Sequence, residues 1–585
     1  MKDLAVNNNK DQRIFKEAYS YDDGGIHGIW SKFDPRTEIL PKGFQLDQKF
    51  KPLSSDIVFE KDVSVKMRDG ITIYTDLYRP KGEENVPVII AWSPYGKSGG
   101  SAPRTTALYN MLGIDNGILS GLAKFEGPDP AYWCSQGYAI CNPDPRGVAY
   151  SEGDIAMFGT QEGRDCHDLI EWLAEQEWCN GKVGMSGTSY LAISQWFTAA
   201  ERPPHLAAIN PCEGLSDVYR DLTRKGGMAD LHFTKRLQVN HVGNGLREDV
   251  FEEAQTYPFA DHSVWQDKIV NLSNINVPAY VVASYSNTLH TTGTFRAWRK
   301  MASEEKWLRI HNTQEWPDYY DEDNTEDLRK FFDYYLKGES NDWQETPRVR
   351  YAVHDFNGND RVNTPATSFP PVDVNNEQFF LDGKSRELKP GNASEHIPVI
   401  YDTQAGPGMV SFIHRFEEET VLVGYPKAHL WVSAEDADDM DLFFYLQKLD
   451  KYGNHLQQFV IPNQGALMHD LTEDGGSVLR YKGSNGRHKV SARNLSSTSG
   501  DQVPEHSFDR TEKLAQGEIV AIEVDLMPIG MVLYPGEQLR FVITGKNFLG
   551  AIMPGTPSYE PENAGKHIVH TGGQYKSFLQ LPVMH

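Results

Sequence analysis

Between Val86 and Asn312 the chain repeatedly sets short, almost wholly apolar runs between segments of helical spacing. The runs are "VPVIIAWSPYG", "GYAICNPDPRG", "GKVGMSG", "LAAINPCEG", "VPAYVVASYS" and "KWLRIHN", each closed by turn residues. A continuous apolar run suits a strand buried on both faces, which occurs in parallel sheets covered by helices on either side. "DCHDLIEWLAEQEW", with Leu169, Ile170, Leu173 and Trp178 at helical spacing, and "YLAISQWFTAA" supply such helices. The alternation predicts an α/β fold with a doubly wound, mostly parallel sheet.

Other segments define the boundaries. "DIVFEKDVSVKMRDGITIYTDLYRP" alternates apolar and polar residues about Asp69-Gly70, a hairpin signal. Residues 1–52 are polar and irregular, an N-terminal extension. The sheet domain takes 53–215 and 277–345. Residues 216–276 are too long for a loop and read as a helical cap over the carboxyl edge. A second insertion, 97–133, falls where ligands bind in such sheets. From 346 to 585, short alternating strands such as "KAHLWVSAE" and "QLRFVITGKN" predict an all-β sandwich.

At 585 residues several domains are expected, and a net charge of −24 argues against nucleic acid or an anionic membrane as partner. Cys134, Cys141, Cys166, Cys179 and Cys212 form no CxxC pair, which reads as buried thiols in a reducing compartment. The N-terminus lacks an apolar h-region and no run reaches transmembrane length, so cytoplasmic residence is expected. The histidines show no metal-ligand spacing, and neither a P-loop nor a dinucleotide fingerprint is present; no cofactor is expected. The acidic run "AEDADDMDL" lacks the pattern of a calcium loop and reads as a solvated turn.

"GKVGMSGTSYLAISQW" sits at a strand-to-helix junction. Of its serines, Ser186 lies in the strand-like half and Ser194 in the helix. Ser189 falls at the turn, two residues after Gly187, where a nucleophile elbow would present it. The G-x-S-x-G pattern is only partly met, since Leu191 stands at the second Gly and Ala192 follows it.

These motifs, together with "VSVKMRDGITIYTDLYRP", "SPYGK", "FFDYYLKG" and the final "TGGQYKSFLQLPV", resemble the cocaine-esterase and X-Pro dipeptidyl-peptidase group of α/β-hydrolases. The resemblance covers most of the chain beyond residue 55. It implies an α/β-hydrolase sheet with a cap and a jelly-roll-like C-terminal sandwich. It also implies that Ser189 is acylated, and that the Tyr95 hydroxyl and the Tyr190 backbone N–H form an oxyanion hole. Asp144 and Arg146 of "DPRG", with Asp165 and Asp168, read as structural.

The chain departs from the group at the other two triad positions. The acid loop reads "ASYSNTLHTTG", with Ser286 and Asn287 where a carboxylate is expected; after the last strand "RIHNTQEWPDYY" replaces the usual His sequence. Three arrangements remain open: His311 as base with Asn287 orienting it, an acid supplied by Glu213, or His290 as base with Glu315 nearby. His311 is preferred, because this topology delivers its base from the last strand.

The expectation is a serine-dependent hydrolase acting on acyl esters or amides of a small molecule. The departures leave open altered acyl or C–C chemistry, or a binding protein retaining the fold. A homo-oligomer is compatible with the composition.

Overall fold

The computed structural model describes residues 12–21, 30, 32–461, 479–550, 552 and 557–585. Parts of the predicted N-terminal extension, including residues 1–11, lie outside the described residues.

The main sheet is eleven-stranded. Its strands in chain order are β1 (Arg36–Leu40), β2 (Ile57–Lys66), β3 (Thr72–Pro80), β4 (Val86–Ile90), β5 (Ala139–Asp144) and β6 (Cys179–Thr188). They continue as β7 (Leu206–Cys212), β8 (Ala279–Ser284), β9 (Lys306–His311), β10 (Val349–Val353) and β11 (Arg361–Ala366). Across the sheet the order is β11-β10-β9-β8-β7-β6-β4-β5-β3-β2-β1. The run from β10 to β5 is parallel, and hairpins extend both edges. The first hairpin turns at Gly70, whose φ is +94°.

The sheet overruns the predicted domain limits at both ends. β1 falls inside the supposed extension and pairs with β2 from Arg36↔Lys61 to Leu40↔Ile57. β10 and β11, assigned by sequence to the sandwich, belong to this sheet: Leu308 pairs with Val349, and β11 folds back on β10. β11 is largely exposed and carries Pro365, as an edge strand permits. Alternating edge strands resemble sandwich strands in sequence, because only one of their faces is buried. His354, just past β10, exchanges backbone hydrogen bonds with Gly530 and Val532, so the sandwich begins where the sheet ends.

α1 (Thr160–Ala174) precedes the elbow strand, and α2 (Tyr190–Ala200) follows it. Residues 216–276 form short helices, including His232–Leu237 and Val250–Thr256, and one short strand, Leu246–Glu248. The C-terminal sandwich contains a thirteen-stranded sheet in which Lys427–Ala434 pairs with Val520–Asp525, Lys566–Thr571 and Phe578–Met584. The acidic run before its strand Asp441–Leu449 is no solvated turn throughout. Asp439 and Asp441 are buried, the first accepting from Ser491 and the second beside Lys489. All five cysteines are buried free thiols. Among the described residues no helix is long and apolar enough to cross a membrane.

The strand order positions the site. β4, β6, β7, β8 and β9 are contiguous, and the residues after their carboxyl ends are Tyr95, Ser189, Glu213, Asn287 to His290, and Glu315. Register pairs Ile90↔Met185, Thr188↔Cys212 and Ser284↔His311 keep those ends level. Ligands bind at this edge in open α/β sheets.

Candidate active site

Ser189 stands between β6 and α2 with φ +56° and ψ −116°, a strained conformation for a non-glycine residue. Such strain persists only where the surroundings enforce it. The Ser189 N–H donates to Cys212 O at 3.1 Å, and Ser189 O accepts the first helical bonds of α2. Gly187, at φ +140°, is required: a Cβ there would lie 2.5 Å from Leu191 Cδ2 and 2.9 Å from Glu126 O. This close approach explains the incomplete motif. Leu191 fills the space that Gly187 and Gly127 leave open, whereas Ala192 must be small because it faces Gly214, whose added Cβ would sit 2.7 Å from the alanine's own.

The other two serines are used in packing. Ser186 donates to Asn210 Oδ1 at 2.9 Å, and Ser194 donates to Trp92 O at 3.0 Å. Ser189 instead opens on a cavity of about 320 Å³ and lies 3.0 Å from a histidine ring nitrogen, Nε2 of His290.

The contact to Ser189 is therefore made by His290 and not by His311, reversing the order of preference drawn from sequence. His311 Nε2 lies 2.6 Å from Glu213 Oε1 and its Nδ1 3.8 Å from Asp318, which commits the ring to the sheet edge. Asn287 does not touch His311. Its amide donates to Glu213 Oε2 at 2.6 Å and to Glu315 Oε2 at 3.0 Å. Its side-chain oxygen accepts from the Leu289 N–H at 3.0 Å and the His290 N–H at 3.3 Å, and its carbonyl from the Thr291 N–H. Asn287 thus caps the helical turn opening α3 (Thr291–Lys300) and fixes the backbone that carries the imidazole.

An acid-oriented triad would hold His Nδ1–H on a carboxylate. Here His290 Nδ1 is buried without a hydrogen-bond partner among the described residues, and Glu315 lies 3.9 Å from Nε2. Orientation comes through the backbone, and the acids act as a nearby field. Burial, with the positive charge of Lys225 second, brings His290 down to about 3, so the free ring is neutral and able to accept a proton. Glu315 is held well above the usual carboxylate range by burial and then by Glu213 and Glu126.

Tyr95 lines the cavity with Ser189, packed edge-on against Tyr190 at 5.7 Å. Burial keeps its phenol protonated, the state a hydrogen-bond donor needs. The Tyr190 N–H is the first of α2 and has no intrahelical acceptor. The cap contributes Phe233, Arg236 and Leu237 to the wall, and the 97–133 insertion contributes Arg104, Leu108 and Phe125. Of the residues read as structural, Arg146 pairs with Asp165 at 2.7 Å and Asp69 at 2.8 Å, Asp144 lies 3.9 Å from Lys97 and Asp168 binds Arg68.

Two residues were missed by sequence reasoning. Glu126, with φ +68°, accepts from Trp316 Nε1 at 2.8 Å and leaves Oε2 buried without a partner at the cavity wall. No motif surrounds it. Glu162, in the first turn of α1, accepts from Trp92 Nε1 at 2.8 Å and Tyr190 OH at 3.2 Å, anchoring the elbow from behind. An acidic residue in a first helical turn is ordinary, so its burial had no signal.

Burial pushes Glu162 up to about 7. The folded state therefore holds this proton more tightly than the unfolded chain. The stabilisation is complete below about pH 4.5 and is lost as pH rises through 7. Glu162→Gln is expected to match the parent at pH 5 and to exceed its stability by about 3 kcal/mol at pH 8. Denaturant titrations at the two pH values check this; parallel pH slopes for both proteins would contradict it.

The X-Pro dipeptidyl-peptidase (S15 family) domain matches residues 69–249, and the X-Pro dipeptidyl-peptidase C-terminal non-catalytic domain matches residues 341–580. Cocaine esterase of Rhodococcus sp. is 35% identical over 159 residues, a match spanning 27% of this chain and 24% of that protein. A solved CocE/NonD family hydrolase from Staphylococcus aureus is 35% identical, with a TM-score of 0.82 over 90% of this chain and 94% of that one. An α-amino acid ester hydrolase shares the fold at a TM-score of 0.66 and 16% identity. The chain belongs to the CocE/NonD hydrolase family, and its site is that of a serine hydrolase of ester or amide bonds.

Proposed function

We propose that the protein cleaves acyl ester or amide bonds of a small molecule through an acyl-Ser189 intermediate. The observation that carries this is the 3.0 Å contact between Ser189 Oγ and His290 Nε2 on the wall of a cavity. His290 takes the hydroxyl proton as Oγ attacks the carbonyl, then returns it to the leaving group. Tyr95 OH and the Tyr190 N–H meet the oxyanion. The imidazolium forms 3.9 Å from Glu315 Oε2, and its positive charge favours ionisation of that otherwise neutral carboxyl, which then offsets it. Water deacylates the serine by the same route. A cavity of about 320 Å³ suits a small acyl group. Five unpaired cysteines favour a reducing compartment, and we place the enzyme in the cytoplasm.

Glu126 Oε2 has no partner among the described residues and shares a wall with Glu315. Burial holds both carboxyls above their usual range, and the positive charge of an amine on the acyl group would favour their ionised form, which supports an amine-bearing acyl group. Arg104, exposed, and Arg236, half-buried, line the same cavity. Hydrolysis of phenylglycine methyl ester and phenylacetate methyl ester tests both parts. Ser189→Ala is expected to lose turnover of both, and Glu126→Gln to lose about tenfold on the amine-bearing ester alone, roughly one charge-assisted hydrogen bond. Undiminished turnover in Ser189→Ala would overturn the serine reading. An equal loss on both esters in Glu126→Gln would overturn the amine preference.

A further inference from the structure

A second cavity, of about 400 Å³, lies between the cap, α3 and the sandwich, and meets the Ser189 cavity across Leu289. Its lining carries Arg220, Lys225, Arg296, Arg299, Lys300 and Arg487, a basic set in a chain of net charge −24, together with His488 and His506, which burial holds neutral. Acids are present but engaged. Asp221 accepts two bonds from Arg296 at 2.6 and 2.7 Å, Glu505 pairs with Lys300 at 2.6 Å, and Arg487 has Asp230 at 3.0 Å. Burial raises Asp525 toward its neutral form. Asp501, also on the lining, gives its backbone carbonyl to Lys427.

Lys225 differs from the other cations. Its ammonium donates to the Thr288 carbonyl at 2.7 Å and makes no ion pair among the described residues. A buried ammonium with a single neutral acceptor lacks compensation, and burial, then Arg487, lowers Lys225 to about 7; an anion beside it would restore the charged form. Three more buried nitrogens on this lining have no hydrogen-bond partner among the described residues: Arg220 Nε, His488 Nε2 and His506 Nε2. The two imidazoles lie 4.0 Å apart, tilted by 37° and both buried. Leu289, Val503, Phe508, Met527 and Leu549 give the wall an apolar part, beside the polar Thr288, Thr292, Asn485, Gln502 and Asn547.

We propose that this chamber is a binding site for a small carboxylate with an apolar body, its carboxylate on Lys225 and its body against the apolar part of the wall. The apolar wall distinguishes such an acid from a compact oxyanion, which would leave that surface uncovered. The site does not depend on the serine reading, because binding requires no turnover.

Calorimetric titration with hexanoate and with inorganic phosphate, on the full chain, tests it. Hexanoate is expected to bind more tightly than phosphate, and Lys225→Met to weaken hexanoate at least tenfold. Because Lys225 also ties down Thr288, crystals of the parent protein soaked in 6-bromohexanoate give an independent reading. The bromine's anomalous signal should fall in this chamber, with the carboxylate at Lys225. Unchanged hexanoate affinity in Lys225→Met, phosphate binding as tightly as hexanoate, or bromine confined to the Ser189 cavity would overturn the proposal, as would the absence of binding.

Discussion

His290→Ala is expected to lower kcat on an activated ester such as p-nitrophenyl butyrate by about 10⁴-fold or more, the loss typical of removing a triad histidine. His311→Gln should lower it by about tenfold at most. The geometry sets this contrast. His290 Nε2 is 3.0 Å from the serine hydroxyl, whereas His311 faces Glu213 at 2.6 Å and reaches the reaction only through Glu213, Asn287 and the loop backbone. The His311 substitution should appear mainly as lost stability, because it leaves a buried carboxyl without its partner. Steady-state kinetics beside denaturation curves separate the two effects. Comparable kinetic losses in both variants would mean that His311 moves to the serine in the working enzyme.

Asn287→Asp is expected to damage the enzyme, although it restores a carboxylate where related hydrolases carry one. The Asn287 amide donates to Glu213 and Glu315 at once, at 2.6 and 3.0 Å. An aspartate there has no hydrogens to give while ionised and places a third acid against two buried ones. Loss of one partner from a buried polar network costs about 3–5 kcal/mol, and the misplaced loop should reduce kcat about 10²-fold. The defect has a pH signature. Crowding raises the carboxyl pKa in the folded state, so stability is retained when the groups are protonated and lost as pH rises. Denaturation midpoints at pH 5 and pH 8 should diverge from the parent only at the higher value. If Asn287→Asp instead raised kcat, the acid would belong on His290 and the backbone account of its orientation would fail.

The sequence displayed the parts of this protein whose physics is local. A strand buried on both faces is apolar along its length, and an elbow needs small residues around one side chain, so the sheet and Ser189 could be read directly. Edge strands were harder: β1 and β11 bury little and carry patterns that suit a sandwich equally well, and β10, although buried, is a short strand between the last predicted sheet strand and β11. The base was hardest. His311 ends β9 and His290 lies in the loop after β8, at the carboxyl ends of adjacent strands, and which one meets Ser189 depends on a few ångströms of loop placement. That placement is decided by Asn287, Glu213 and Glu315, three residues far apart in sequence whose meeting no periodicity announces. Leu191 and Ala192 show the same limit at smaller scale, since their sizes follow from Gly187 and Gly214 packing against them.

The central claim is that Ser189 is a nucleophile activated by His290, and covalent labelling tests it most directly. A fluorophosphonate probe, followed by peptide mass spectrometry, is expected to modify Ser189 alone among the serines of the folded parent protein. His311→Gln should label at a similar rate, and His290→Ala at least about 10³-fold more slowly, as loss of the general base requires. Absence of an adduct on Ser189, or undiminished labelling in His290→Ala, would contradict the account.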